Sequence, residues 1–339
     1  MLTQGKPAVG RRRAARWRLN LLAWALAGLG QPVLAAPCPG PVLRFVALAP
    51  GHWLVPAADG DATAANRGQV SNLLLVREDG ATPRLWALGS GPTRAFGRAL
   101  ACQTRQHLGL DITDVVSPWT RPELVLGVAG LSAAVQARHW AHASVADAMA
   151  EQCAHCMERL RQRLGEAAVD LAGQPVALPT RRFTGEQGSL GQFDWWRLPR
   201  VDGRWVTLWR SRQVPIWVAH GVLQGGGPPD GRDADLLMLQ QATARVLALS
   251  ADDGAKALFI GEQGPPMGRA DIRRLVAYWQ ALRSQVAVAI ERGDDETAPP
   301  PLLPEAAALP GWDQHPWHAM NWQRAWRQEE NRILNPPSR

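Results

Sequence analysis

The chain predicts a layered α/β fold, and three features carry that expectation. Short apolar runs recur with Pro, Gly or Asp between them, as in "VLRFVALAPGHWLVP" and "VSNLLLVRED". An amphipathic helical stretch then separates two such runs within about 40 residues, the spacing of a βαβ unit. The composition, 46% hydrophobic and 20% charged over 339 residues, suits an ordinary packed core and argues against a fibrous or disordered chain.

"PRLWALGSGPT" reads as a strand ending in a Gly-rich turn. "TRAFGRALACQTRQHLG" follows as a helix, with Phe96, Leu100 and Leu108 on one face and Gly109 at its stop. "LDITDVVS" is the next strand. A helical tract, continuous or interrupted, is expected from about Ser132 to Leu164, with Ser144 and Asp147 suiting an N-cap and first turn and Gly165 a C-cap. In the second half "FDWWRLP", "RWVTLWR" and "VPIWVAHGVL" are strand-like. "DADLLMLQQATARVLALS" is an amphipathic helix, "KALFIGEQGPP" a strand and turn, and "ADIRRLVAYWQALRSQVAVAIERG" a second helix. Residues 36–296 are the main domain. The prolines of "TAPPPLLP" make 297–304 an extended linker, and 305–339 a helical tail that packs back on the domain.

Residues 1–35 read as a signal peptide. "GRRRAARWR" is a basic n-region, "LNLLAWALAGLG" a short apolar stretch, and "QPVLAA" a processing site after Ala35. A retained anchor is the alternative reading. Export to the periplasm or outside the cell follows, with no membrane association beyond this leader. The chain carries 37 Lys and Arg against 30 Asp and Glu, a formal charge of +7. Six of those bases (Lys6, Arg11, Arg12, Arg13, Arg16 and Arg18) lie in the leader, which has no acid. The mature chain is left with 31 against 30, about +1, and so lacks the basic character of a nucleic-acid binder.

Four cysteines remain: Cys38, Cys102, Cys153 and Cys156. In an oxidising compartment they suggest disulfides, and the preferred pairing is Cys38 with Cys102 and Cys153 with Cys156. "CAHCM" also allows a redox or copper(I) site at Cys153 and Cys156, or inert thiols. His139 and His142, taken as i and i+3 of a helix, have no carboxylate at matching spacing. They read as a satisfied helix face, and His315 and His318 in the tail are read in the same way. Among 16 tryptophans, Trp119, Trp195, Trp196, Trp205, Trp209 and Trp217 fall near one set of strands. Core packing is the favoured role for them, an aromatic cleft the alternative. "LQGGGPPDG" lacks the Gly-Lys-Ser/Thr of a phosphate loop.

The order of these blocks resembles the metallo-β-lactamase fold family over roughly residues 42–335, and most closely its periplasmic quinoprotein relay system zinc metallohydrolases. The resemblance rests on "GHWLVP", "GQVSNLLLV", "VVSPWTRPELVLG", "CAHCMERLRQRLGE", "RDADLLMLQQATARVLAL", "FIGEQGPP" and "NWQRAWRQEENRIL". It implies a four-layer αββα sandwich with a metal site at one edge of the two sheets. There a His-x-His-x-Asp-His loop and later strand ends would hold zinc, which lowers the pKa of bound water to ~7. Laid on this chain, that motif falls on Trp119, Arg121, Glu123 and Leu124. The later ligands fall on a stretch without histidine ("LPRVDGRW"), on Ala219 and His220, and on Gln263. Trp and Leu cannot ligate zinc, and Arg is a permanent cation.

The expectation is therefore an exported, non-catalytic binding or accessory protein with no catalytic residue and no zinc. By resemblance it would be tied to a periplasmic quinoprotein dehydrogenase system. Trp119, Arg121, Glu123, His220 and Gln263 mark its cleft. Arg121 beside a tryptophan points to a small anionic or aromatic ligand, and a periplasmic partner protein is the other candidate partner. Two alternatives stand beside it. One is a hydrolase with a rebuilt mononuclear site using Glu123, His220 and a third ligand. The other is a thiol or copper protein centred on Cys153 and Cys156.

Overall fold

The computed structural model describes residues 37–335, and the expected leader lies outside them. The apolar runs become two sheets. The first has seven strands in chain order: β1 (Val46–Ala49), β2 (His52–Val55), β3 (Leu73–Glu78), β4 (Arg84–Leu88), β5 (Asp114–Val116), β6 (Arg138–His142) and β7 (Arg181–Phe183). Its first four strands are antiparallel and the pairs from β4 to β7 parallel. The second sheet contains β8 (Gln187–Leu190), β9 (Phe193–Val201), β10 (Arg204–Ser211), β11 (Ile216–Val218) and β12 (Leu258–Ile260). Its order is β12-β11-β10-β9-β8, with β12 parallel to β11.

Alternation along the strands explains why these runs look continuously apolar. Leu74 and Val76 of β3 point between the sheets, with Trp86, Leu88 and Val116, and meet Phe193, Trp195, Trp209 and Val218 of the second sheet. Leu73 and Leu75 point the other way, into a core shared with Phe96 and Leu100 of α1 (Arg94–Leu108) and Leu131 of α3 (Val128–Val135). The second sheet does the same: Leu198, Val206 and Trp217 share that core with α5 (Leu236–Leu249) and α6 (Arg269–Glu291). Strands covered on both faces need apolar residues at consecutive positions. The result is the αββα sandwich expected.

Two helices deserve mention because they place the functional edge. α1 and α3 cross so closely that a methyl group at Gly97 would overlap the Gly127 carbonyl, and one at Gly130 the Arg94 carbonyl. The turn before α1 holds the end of the short α2 (Pro122–Val125), because the Leu124 carbonyl accepts the Ser90 N–H at 2.7 Å and the Gly91 carbonyl the Gly127 N–H at 2.7 Å. α4 (Ala143–Leu164) runs beside β6 and β7 and reaches β10. The tail forms α7 (Pro316–Leu334) and lies on α6, where Asn321 donates to the Tyr278 hydroxyl at 2.9 Å and Trp322 and Trp326 are buried. Pro39–Arg339 cluster as one compact unit. Among the described residues, no helix is long and apolar enough to cross a membrane.

Three expectations need correction. The tract from Ser132 to Leu164 is interrupted, and by a strand: α3 stops at the left-handed Gln136, and β6 then slots in parallel between β5 and β7. Tertiary pairing here overrides an Ala- and His-rich sequence. The N-cap of α4 is consequently His142 rather than Ser144, and its ring accepts the Ser144 N–H. His139 and His142 do not share a helix face, because an odd offset in a strand puts them on opposite faces. His139 bonds Ser117 at 2.8 Å and burial pushes its pKa down to about 4, while His142 faces the Gly185 carbonyl.

The third correction concerns the cysteines. Cys38 and Cys102 are disulfide-bonded, but Cys153 and Cys156 are free thiols within α4. Burial pushes the Cys153 thiol up to about 12, whereas Cys156 is half-buried and accepts a hydrogen bond from Arg159 at 3.4 Å. A thiol reagent should therefore label the native protein at Cys156 alone, with Cys153 reacting only after unfolding. Two fast thiols would contradict the structure.

Candidate functional site

The site lies where the ends of β5, β9, β11 and β12 meet α2 and α4. The loop after β5 is pinned to the second sheet, since the Pro118 carbonyl accepts both the backbone N–H and the hydroxyl of Thr207, at 2.8 and 2.9 Å. It carries Trp119 and then Arg121, the N-cap residue of α2 with Pro122 at its first turn. β12 delivers Glu262, whose backbone is locked between Leu223 and Asn72 by hydrogen bonds of 2.7 and 2.8 Å.

Glu262 organises the centre. It is buried and accepts from the Ser71 hydroxyl, from Trp119 Nε1 at 3.0 Å and from the Gly221 N–H at 3.1 Å. Arg121 sits beside it, with Nε 3.4 Å from Glu123 and 3.7 Å from Glu262. Burial alone would lower the Arg121 pKa, but Glu262, Glu123 and Asp230 outweigh it and hold the guanidinium more firmly charged than usual. Arg200, from β9, is also buried. It donates to the Gly221 carbonyl and stacks on Trp119 with its guanidinium carbon 4.6 Å from the ring centroid. Burial pushes the pKa of Arg200 down to about 10, and neighbouring Arg121 adds to the effect.

Beside these groups opens a cavity of about 250 Å³. Trp119, Arg121 and Glu123 line it, together with Arg200, Trp205 and Cys156. His220 and Gln263 do not. His220 is fully buried, donates from Nε2 to the Asn72 carbonyl at 2.7 Å, and is held neutral by burial. Gln263 donates to the Gly60 carbonyl at 2.8 Å. Of the tryptophans, Trp195 and Trp209 belong to the core between the sheets and Trp196 stacks on Trp217 at 5.3 Å, while Trp119 and Trp205 face the cavity.

Glu262, Arg200 and Asp230 escape a reading of the sequence. Glu262 stands next to Gln263, and Arg200 lies in "LPRVDGRW", a stretch otherwise notable only for lacking histidine. Arg200 lies inside β9, Glu262 two residues beyond β12 and Asp230 in the loop before α5, so no shared local pattern marks them.

Two sheets back to back, helices outside, and a polar cleft at the strand ends define the metallo-β-lactamase fold. Solved structures agree at high probability. A metallo-β-lactamase from Hirschia baltica superposes with a TM-score of 0.53 at 14% identity, covering 70% of this chain and 97% of its own. The metallo-β-lactamase FIM-1 from Pseudomonas aeruginosa, in its mono-zinc form, gives 0.54 at 16% identity, covering 71% and 96%. The metallo-β-lactamase of Erythrobacter litoralis, with β-mercaptoethanol in its active site, gives 0.54 at 16%, covering 70% and 96%. At such identities the likeness is one of fold. No protein-family model and no curated protein sequence matches the chain.

The residues at this edge do not fit a zinc ion. Among the described residues no group of three or more His, Cys, Asp or Glu is arranged to hold a metal. The two buried carboxylates of the centre, Glu123 and Glu262, face a guanidinium, and His220 is engaged with backbone.

Proposed function

We propose that the chain is an exported, non-catalytic binding or accessory protein, built on a metallo-β-lactamase fold whose zinc ligands have been replaced. The observation that carries this reading is Arg121 between Glu123 and Glu262. By resemblance, this loop is where zinc would be held. A tethered guanidinium neutralises the carboxylates as a metal ion would, but it offers no open coordination position and cannot activate water. What the edge retains is a cavity with Trp119 and Trp205 in its walls and six arginines against four carboxylates, a cationic excess suited to a small anionic or aromatic molecule. The disulfide at Cys38 and Cys102 is consistent with a periplasmic setting, and the resemblance suggests a quinoprotein dehydrogenase system as its context.

Metal analysis of the mature protein tests this reading. The sample should be purified from periplasm without chelators and without a metal-binding tag. Zinc far below one per chain in a well-folded sample is expected. Near-stoichiometric zinc would overturn the proposal and revive a hydrolase using Glu123 and His220, and copper would redirect it to Cys153 and Cys156.

A further inference from the structure

We infer that Arg200, rather than Arg121, anchors the ligand, and that the ligand is a compact oxyanion whose carboxylate, phosphate or sulfonate group pairs with that guanidinium. The inference rests on reading the cleft as a ligand site and specifies what the site binds.

Of the arginines lining the cavity, Arg121 is engaged by Glu123 and Glu262, and Arg232 by Asp61 and Asp230 at 2.6 and 2.8 Å. Arg200 differs. It is buried, with a side-chain hydrogen bond only to the Gly221 carbonyl, a buried Nε that has no partner, and no ion pair among the described residues. Asp230, Asp233 and Glu262 favour its charge only from a distance, and Asp230 is itself bound by Arg232, so Arg200 is a buried cation with no direct ion pair, which is costly to keep. Stacking on Trp119 offsets part of that cost. An oxyanion in the cavity would supply the missing direct partner, Nε included, through the strong hydrogen bonds that guanidinium forms with carboxylate or phosphate.

The rim points the same way. Arg159 and Arg163 of α4 and Arg204 of β10 line the mouth, are exposed, and make no ion pair among the described residues. Exposed Asp61, paired with Arg232, and exposed Asp233 share that lining, so the unpaired rim charges are three arginines against one aspartate, and such an excess draws in anions in a salt-dependent way. Trp205 forms a half-buried wall, with Arg197 on one face of its ring at 3.9 Å. The cavity lies near the lower end of the ~300–1,000 Å³ usual for small-molecule sites, so the molecule that carries the anion is compact.

Benzoate and benzamide share a shape and differ in charge, and inorganic phosphate carries charge without a ring. Calorimetric titration of the mature protein at low salt with these three probes is the test, followed by tryptophan fluorescence. Binding of benzoate or phosphate, with benzamide at least about tenfold weaker, is expected. The stronger of the two anions identifies the carboxylate or phosphate class. Arg200→Met should lose about tenfold or more in anion affinity, and Arg200→Lys should retain part of it. Should Arg200→Met not fold, the exposed pair Arg163→Gln and Arg204→Gln serves instead. That variant should weaken anion binding several-fold and flatten its salt dependence, and an unchanged salt dependence would count against the inference. Equal binding of benzamide and benzoate, or full anion affinity in folded Arg200→Met, overturns the inference and leaves the cleft a ligand site of another chemistry. If no probe binds a correctly folded protein, both the inference and the broader reading of the cleft fall.

Discussion

Glu262→Ala is expected to destabilise the protein by about 3–5 kcal/mol, the usual cost of removing one partner from a buried charge pair. The substitution strands several groups together. Arg121 loses one of its two carboxylates, and Ser71, Trp119 and the Gly221 N–H lose their acceptor in the protein interior. Glu262→Gln keeps the shape and some acceptor capacity, so it should cost less than alanine and more than a surface substitution. Urea unfolding measures the change as a lower midpoint at unchanged slope. Because Arg121 and Glu262 are neighbours, their effects should not add, and Arg121→Met in the Glu262→Ala background should recover part of the loss. A loss below about 1 kcal/mol for Glu262→Ala would show that the pair is far better hydrated than its burial implies.

The sandwich was legible because its strands are covered on both faces, which forces runs such as "NLLLV" and "RLWAL". β7 and β8 were not legible. They are edge strands, "RRF" and "QGSL", with one side unpaired and little apolar surface to announce them. β6 was hidden for a different reason: "RHWAH" runs directly into a helix, and only its pairing with β5 and β7 makes it a strand.

The site divides along similar lines. Trp119, Arg121 and Glu123 are marked by the resemblance, whose metal motif falls on one continuous stretch of this chain. Glu262 meets Ser71 across 191 positions of chain and Trp119 across 143, and no local pattern encodes such a meeting. The resemblance also puts His220 and Gln263 at the cleft, where the family's later ligands stand, but each turns to a backbone carbonyl instead. Sequence position locates a residue at the end of a strand; the competing hydrogen bonds decide which way its side chain goes.

Asp114 should prove as sensitive as Glu262, although it has no part in the cleft. It opens β5, is fully buried, and accepts from Trp140, Thr113, Arg84 and Arg138 at 2.8 to 3.1 Å. Burial by itself would raise its pKa, but the bonds from Arg138, Thr113, Trp140 and Arg84 outweigh it and hold the carboxyl below its ordinary 3.8. A carboxylate with a depressed pKa in the folded state stabilises the fold above its unfolded pKa. That stabilisation is lost as the pH falls through the folded value. Asp114→Asn leaves Arg84 and Arg138 without their shared anion and should cost about 3 kcal/mol or more at neutral pH. The difference between wild type and variant should hold steady down to the ordinary carboxylate range and shrink below 3.8, where the carboxyl takes up a proton in the unfolded chain before it does so in the folded one. Unfolding curves from pH 7 to pH 2.5 measure both quantities. A difference that does not change with pH would mean that the cost lies in packing, and that the arginines on Asp114 contribute little to the fold.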